Sequence, residues 1–234
     1  MRLVLLPGMH GTETLFEPFL RALPPSLRPY VVTFPPGRPL GYDDLLPIVE
    51  SALPDGEPFL LLGESFSGPL ALKVAAKNPP GLRGVILVAS FIRSPWRAPG
   101  WTRVFVRALF FRLVPKSTFL RSAFSRSRGG SLASLALAAL APVRADVLAL
   151  RAREVFDLDA VEALRACSVP ILYLVGGRDR IVSRRSLDEI RSIRPDVRVE
   201  TFDAPHLVLQ TRPAEAAQAI TDFAAAMDRR ATGS

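Results

Sequence analysis

The stretch from Phe59 to Leu72 decides the fold, and it reads FLLLGESFSGPLAL. An unbroken apolar run, Phe59–Leu62, stops at Gly63, and Ser65 follows two residues later. An apolar run without alternation is typical of a strand that is buried on both faces of a parallel sheet. The stretch therefore predicts a buried strand, a tight turn that presents Ser65, and a helix directly after the turn.

Further apolar runs, bounded by Pro, Gly or Asp, lie before and after this stretch, and they are the other candidate strands of a buried sheet. They are Leu3–Leu6, Tyr30–Phe34, Val85–Ala89, Ile171–Val175 and Val197–Phe202. Helical patterns lie between most of them, at Leu15–Leu23, Tyr42–Ala52, Pro69–Lys77 and Arg184–Ile193, and Ala214–Met227 closes the chain. Alternation of strands and helices gives right-handed parallel crossovers. The sequence thus predicts an α/β fold with a doubly wound, mostly parallel sheet.

The alternation breaks once, in the long segment between Ala89 and Pro170, where no strand pattern occurs. Amphipathic helical patterns fill this segment, at Trp101–Leu113, Ser117–Arg128, Ser131–Leu140 and Pro142–Val155. Long insertions in compact domains usually have a function. We therefore predict an α/β core made of residues 1–90 and 170–234, with a helical lid insertion at residues 91–169.

Composition narrows the class of protein. The net charge of +8 suggests nucleic-acid binding, but no nucleic-acid recognition motif accompanies it. One cysteine, Cys167, excludes an internal disulfide, and with only two histidines and one cysteine we expect no metal site. The apolar run at the N-terminus is too short for a signal peptide, and charged residues and Pro142 interrupt the apolar stretch Leu132–Leu150. We expect a cytoplasmic protein without stable membrane insertion.

Ser65 is the candidate nucleophile. A serine on a tight turn between strand and helix lies in strained backbone and projects its hydroxyl above the sheet. The small residues Gly63, Ser67 and Gly68 allow the close approach of strand and helix that such a turn needs. The alternative interpretation is a serine that merely caps an ordinary helix.

A serine hydroxyl needs a general base, and the chain has two histidines. His206 follows the last predicted strand, and His10 follows the first, so both lie at the carboxyl edge of the predicted sheet, where Ser65 also lies. We assign His206 as the base. His10 is a candidate substrate contact or an alternative base, although a hydrogen-bonded loop histidine is the simpler interpretation.

The histidine should be oriented by a carboxylate at the end of another strand. Asp179 follows the predicted strand Ile171–Val175, whereas Glu64 is too close to Ser65 in the chain. Asp157 and Asp159 are the alternative residues, and a cap of the next helix is the alternative role for Asp179. The order Ser65, Asp179, His206 matches the order known for nucleophile, acid and base on a sheet of this kind.

An oxyanion intermediate needs two backbone N–H donors. One donor should be Phe66, the residue after the nucleophile. The other should be Met9, which lies in the glycine-containing loop after the first strand. This loop lacks the spacing of a dinucleotide-binding turn and the lysine of a P-loop.

These motifs resemble those of the α/β-hydrolase superfamily, on the side of small lidded serine esterases such as the carboxylesterases that cleave pimeloyl-carrier methyl esters. The resemblance rests on Pro7-Gly8-Met9, on residues 63–68, on Gly177-Arg178-Asp179 and on Pro205-His206, and it extends from Leu3 to about Met227. Two features differ from the family pattern. Ser67 stands at the fifth motif position, and the sequence starts at what corresponds to the third strand of the family sheet, so the fold is expected to be shortened at the N-terminus.

The resemblance implies hydrolysis of a carboxylic ester or thioester through an acyl-enzyme, with no cofactor. An amidase, peptidase or perhydrolase with the same three residues, and an inactive fold that only binds, are the alternatives. Candidate substrate contacts in and near the lid are His10, Trp96, Trp101, Arg103 and Arg107. The segment from Arg93 to Arg128 contains no acidic residue, which suggests an acidic acyl carrier as a partner, or else a solvated basic surface.

Overall fold

The computed structural model describes residues 1–96 and 130–232. Its strands are β1 (Arg2–Leu6), β2 (Arg28–Val31), β3 (Phe59–Glu64), β4 (Leu82–Val88), β5 (Ile171–Gly176) and β6 (Arg198–Phe202). They form one six-stranded sheet in the order β2-β1-β3-β4-β5-β6. Every neighbouring pair is parallel, which confirms the predicted doubly wound sheet.

The helices before the insertion are α1 (Glu17–Ala22), α2 (Tyr42–Ser51) and α3 (Gly68–Ala75). Those between β4 and β5 are α4 (Gly130–Leu140), α5 (Ala145–Asp157) and α6 (Val161–Ala166). The remaining helices are α7 (Arg184–Ile193), α8 (Val208–Thr211) and α9 (Pro213–Thr232), and short 3₁₀ turns occur at Thr14–Phe16 and Ser65–Ser67.

Each central strand contributes to two apolar cores, one on each face of the sheet. In β3, Leu61 packs on the side of α2 and α3, whereas Leu60 and Leu62 pack on the side of α1 and α9. The same alternation holds along β1, β4 and β5. Because both faces are covered by helices, both sets of side chains must be apolar, and the strands therefore read as unbroken apolar runs.

A helical insertion lies between β4 and β5, as the sequence predicts. Its described helices are α4 to α6, and the predicted helices Trp101–Leu113 and Ser117–Arg128 lie outside the described residues. Ala136 and Ala139 of α4 pack against Leu15 and Leu207, which belong to loops at the carboxyl edge of the sheet. The described part of the insertion therefore packs over the edge where the candidate site lies.

Among residues 1–96 and 130–232, no single helix is long and apolar enough to span a membrane; the pair Leu132–Leu140 and Ala145–Asp157 meets the criterion jointly, with a bend of 101° between them.

Candidate active site

Ser65 occupies a strained turn directly after β3. Its φ of 50° lies in the left-handed region, which costs a residue other than glycine about 1–3 kcal/mol. The surrounding structure holds this conformation in place. The Ser90 hydroxyl donates to the Ser65 carbonyl at 2.7 Å, and the Tyr173 hydroxyl donates to the Ser90 carbonyl at 2.6 Å. The predicted strain at Ser65 is confirmed.

Two glycines allow strand and helix to meet at this turn. A Cβ on Gly63 would lie 2.5 Å from the Ser67 carbonyl oxygen, and a Cβ on Gly68 would lie 1.9 Å from the Ser90 hydroxyl. Neither position tolerates a side chain. The close approach predicted from small residues is therefore supplied by Gly63 and Gly68, which leaves position 67 free to bear a side chain.

The structure brings Ser65, His206 and Asp179 together from three strand ends. The Ser65 Oγ lies 2.9 Å from Nε2 of His206, and the Asp179 Oδ2 lies 2.8 Å from Nδ1 of the same ring. The side chains of His206 and Asp179 are both buried. The three side chains thus lie within hydrogen-bond reach of one another in the order that the sequence predicts, and a nucleophile, a base and an orienting acid require this geometry.

The Asp179 carboxylate is held by its own loop. Its Oδ1 accepts hydrogen bonds from the backbone N–H groups of Ile181 at 2.8 Å and Val182 at 3.0 Å, so that Oδ2 faces His206. The alternatives, Asp157 and Asp159, lie in the insertion. Asp159 accepts from the Val161 N–H and pairs with Arg93 instead.

The loop after β1 is fixed by hydrogen bonds to its carbonyl groups. The Ser67 hydroxyl donates to the Pro7 carbonyl, and the Gly11 N–H donates to the Gly8 carbonyl at 2.9 Å. The Met9 carbonyl accepts from Nη1 of Arg151 at 2.8 Å. Within the described part of the chain, the Met9 N–H makes no hydrogen bond, so it is free to donate to a ligand.

Arg151 is a residue of this site that sequence analysis missed. It extends from α5 into the core and is 0% exposed. Its guanidinium lies over the Phe34 ring and, among the described residues, donates to the backbone carbonyls of Met9 and Pro35 and to no carboxylate. Burial lowers the pKa of Arg151 to about 10, so the group stays charged at neutral pH. On an amphipathic helix an arginine ordinarily faces solvent, and no local signal distinguishes this one.

A cavity of about 120 Å³ opens beside Ser65. Of the residues predicted to contact substrate or oxyanion, Met9, Phe66, His10 and Trp96 line it, whereas Trp101, Arg103 and Arg107 lie outside the described residues. The other lining side chains are mainly apolar, namely Leu15, Phe91, Ala136, Leu140, Val155, Ile181 and Leu207. No group of His, Cys, Asp and Glu in residues 1–96 and 130–232 is arranged to hold a metal ion.

The first basic residue of the acid-free segment, Arg93, does not carry an unpaired charge. Arg93 forms ion pairs with Asp159 at 3.2 Å and Glu189 at 2.5 Å. Both carboxylates come from outside the acid-free segment, so the local absence of acidic residues did not imply an unpaired arginine. The remaining basic residues of that segment, from Arg97 to Arg128, lie outside the described residues, and an acidic carrier stays a prediction.

Glu64 and Gln210 form a buried pair behind the site. The Gln210 Nε2 donates to the Glu64 Oε1 at 2.9 Å, which links the end of β3 to α8, the helix after His206. The other oxygen of Glu64 is buried and unpartnered in the described structure. Burial raises the pKa of Glu64 above its usual value, although its bond to Gln210 opposes this effect.

Replacing Glu64 by Gln is expected to stabilise the protein at about pH 8. The raised pKa means that wild type loses stability as the pH rises from about 4.5 through the pKa of folded Glu64, because the folded state retains a proton that the unfolded state releases. Glu64→Gln removes this loss and keeps the acceptor for Gln210. Urea unfolding at several pH values measures the effect. A difference that does not grow with pH would contradict the raised pKa.

The chain is similar to known proteins both in sequence and in structure. N-formylmaleamate deformylase of Pseudomonas putida is 26% identical over 151 residues, which are 63% of this chain and 56% of that protein. The match thus spans little more than half of that relative. A carboxylesterase structure from Nitrososphaera gargenis has a TM-score of 0.78 at 16% identity, covering 98% of this chain and 91% of the other. The enol-lactonase from Burkholderia xenovorans has a TM-score of 0.77 at 15% identity, covering 96% and 91%.

At such identities the solved structures show a shared fold, which is an α/β-hydrolase fold with a helical insertion between β4 and β5. The resemblance found in the sequence motifs is confirmed by a family model. The model described as alpha/beta hydrolase family matches residues 3–219, which is most of the sequence. The chain belongs to the alpha/beta hydrolase family.

Proposed function

We propose that the protein hydrolyses a small carboxylic ester or thioester through an acyl-enzyme formed on Ser65. The observation that supports this most is the hydrogen-bond chain from Asp179 through His206 to Ser65. In this mechanism the Ser65 Oγ attacks the substrate carbonyl while Nε2 of His206 takes its proton. Asp179 holds the ring in the required tautomer and stabilises the imidazolium.

The backbone N–H groups of Met9 and Phe66 hold the oxyanion in the proposed mechanism. Both residues line the cavity beside Ser65, and the Met9 N–H is unpaired. His206 then protonates the leaving group and activates the water that cleaves the acyl-enzyme. The insertion acts as the lid, because α4 supplies Ala136 and Leu140 to the cavity wall.

Covalent labelling tests the proposal against a fold that only binds. A fluorophosphonate should add to Ser65, as peptide mass spectrometry would show, and p-nitrophenyl acetate should give a burst of one nitrophenolate per protein. Labelling should fail after denaturation, because the reaction depends on the assembled site. An unlabelled Ser65, together with no turnover of esters or thioesters, would refute the hydrolase mechanism.

A second candidate is hydrolysis of an N-formyl amide. It is favoured by the similarity to N-formylmaleamate deformylase, which covers 63% of this chain. The same acyl-enzyme chemistry applies, with nitrogen as the leaving atom. Turnover of N-formyl amides measured beside esters of matched size separates the two candidates, since preference for the amide would identify the protein as a deformylase.

The cavity predicts a preference for short acyl chains. Each methylene that enters an apolar cavity contributes about 0.8 kcal/mol, or about fourfold in kcat/KM. The cavity that the described residues form, of about 120 Å³, is slightly smaller than the engineered apolar cavity of about 150 Å³ that holds one benzene. Over a series of p-nitrophenyl esters, kcat/KM should therefore rise to about butyrate or hexanoate and then fall.

Ala136→Leu should move the optimum to shorter chains, because Ala136 lines the cavity. Leu137→Ala on the same helix is the matched control, since Leu137 is exposed and should leave the optimum unchanged. A kcat/KM that keeps rising to dodecanoate would contradict the size assigned to the cavity.

A further inference from the structure

His10 has one ring nitrogen engaged and one buried without a partner. The Thr12 backbone N–H donates to Nδ1 at 3.1 Å, and the Thr12 hydroxyl lies 3.0 Å from the same nitrogen. Nε2 is buried and has no hydrogen-bond partner in the described structure. The whole side chain is 6% exposed and lines the cavity that contains Ser65 and His206.

The bond from Thr12 fixes the tautomer of His10. A backbone N–H can only donate, so Nδ1 must hold a lone pair, and the proton of a neutral imidazole must then reside on Nε2. His10 therefore presents an N–H donor at its unpartnered nitrogen. Because that nitrogen is already protonated in the neutral ring, His10 is not the base for Ser65.

The surroundings of His10 keep it neutral. Burial, and after it the charge of Arg151, lowers the pKa of His10 to about 3. A second proton would also displace the Thr12 N–H from Nδ1. The ring thus remains a neutral donor throughout the pH range in which a serine hydrolase works.

A buried donor without a partner costs about 1–3 kcal/mol, and a ligand oxygen that accepts its hydrogen bond would recover this cost. His10 belongs to the same loop as Met9, whose N–H we assign to the oxyanion. The cavity wall around it is mainly apolar. An acyl group that lies in this cavity is therefore the natural source of the missing acceptor.

We propose that His10 is a specificity-determining residue, whose Nε2–H donates a hydrogen bond to a second oxygen in the acyl part of the substrate, close to the reacting carbonyl. The substrate class is an ester or thioester of an oxygenated short acid, such as an alkoxy, hydroxy or keto acid. The inference rests on the proposed acyl-enzyme function and deepens it.

Two isosteric esters test the inference. p-Nitrophenyl methoxyacetate and p-nitrophenyl butyrate have acyl chains of the same length, and they differ by one ether oxygen in place of a methylene. After division by the rates of hydroxide-catalysed hydrolysis, kcat/KM of the wild type should favour methoxyacetate about tenfold, the effect of one hydrogen bond. A normalised ratio of one, with both esters hydrolysed, would overturn the role of His10 and leave the hydrolase function intact. Absence of hydrolysis of any ester would refute the hydrolase function itself.

Two variants separate the ring nitrogens. His10→Asn places an amide oxygen near the position of Nδ1, which keeps the acceptor for Thr12 and removes the Nε2 donor. His10→Gln places an amide N–H₂ near the position of Nε2 and keeps a donor. The methoxyacetate preference should disappear in His10→Asn and persist in His10→Gln. Persistence in His10→Asn would assign the preference to another group.

Nitrogen-15 NMR of the folded wild type gives a readout that needs no variant. The sequence has two histidines, so the ring signals are readily assigned. His10 should show the Nε2-protonated neutral tautomer, without titration between about pH 5 and 9. A titrating ring, or a proton on Nδ1, would contradict the inference.

Discussion

Ser65→Ala is expected to lower kcat for ester hydrolysis by about 10⁴-fold to 10⁶-fold, and His206→Ala should do nearly the same. The reason lies in the shared hydrogen bond between the Ser65 Oγ and Nε2 of His206 at 2.9 Å. Without the base the hydroxyl is a poor nucleophile, and without the hydroxyl the base has no proton to take. The double variant should therefore be about as active as either single variant.

Single-turnover and steady-state kinetics on an ester that the wild type cleaves rapidly measure these losses. The residual activity reflects oxyanion stabilisation and binding, which all of these variants retain. Ser51→Ala is the matched serine control, since Ser51 is exposed at the end of α2 and does not line the cavity. Losses that multiply in the double variant would show that Ser65 and His206 act independently, and the proposed mechanism would then be wrong.

Asp179→Asn is expected to lower kcat by about 10⁴-fold through the tautomer of His206. Oδ1 of Asp179 accepts two backbone N–H bonds, so the oxygen of an asparagine would keep that place and its N–H₂ would face His206. Nδ1 of His206 would then have to accept a hydrogen bond, and the ring proton would lie on Nε2, facing Ser65. In that tautomer His206 cannot take the proton of the hydroxyl.

Asp179→Ala distinguishes this effect from the simple loss of a carboxylate. Alanine leaves the imidazole free to adopt either tautomer, so Asp179→Asn should be no more active than Asp179→Ala even though asparagine is closer in shape. Circular dichroism and thermal unfolding check that both variants are folded. An asparagine variant far more active than the alanine variant would indicate that Asp179 acts by position alone.

The four central strands, β1, β3, β4 and β5, could be predicted from the sequence because both of their faces are buried, but the ends of the strands could not. β4 begins at Leu82 and not at Val85. The exposed Arg83 and the buried Gly84 interrupt the apolar run, while the backbone still pairs with β3. β2 ends at Val31, before the predicted Phe34. The apolar residues beyond it are buried by the core, although they no longer belong to the strand.

The three residues of the hydrogen-bond chain could be predicted because each follows a strand end and parallel strands share one edge. The residues that fix them could not. Gln210 reaches Glu64 across 146 positions, and Arg151 reaches Met9 across 142. Such pairs arise from tertiary packing and leave no local pattern. Ser67, which departs from the family pattern, donates a hydrogen bond to the Pro7 carbonyl, and the motif alone does not predict this bond.

The buried Arg151 limits how the insertion can be exchanged between related enzymes. Insertions of this kind are attractive units for recombination between related enzymes, because a chimaera changes the substrate pocket and retains the chemistry. Here the unit is not self-contained, since Arg151 belongs to the insertion and yet supplies donors to the carbonyls of Met9 and Pro35 in the core. A grafted insertion that lacks this arginine would leave both carbonyls unpaired and would remove one of the hydrogen bonds that fix the loop of Met9. The natural crossover points therefore lie outside α5, and any library that exchanges the insertion has to preserve Arg151 together with Phe34, the ring beneath it.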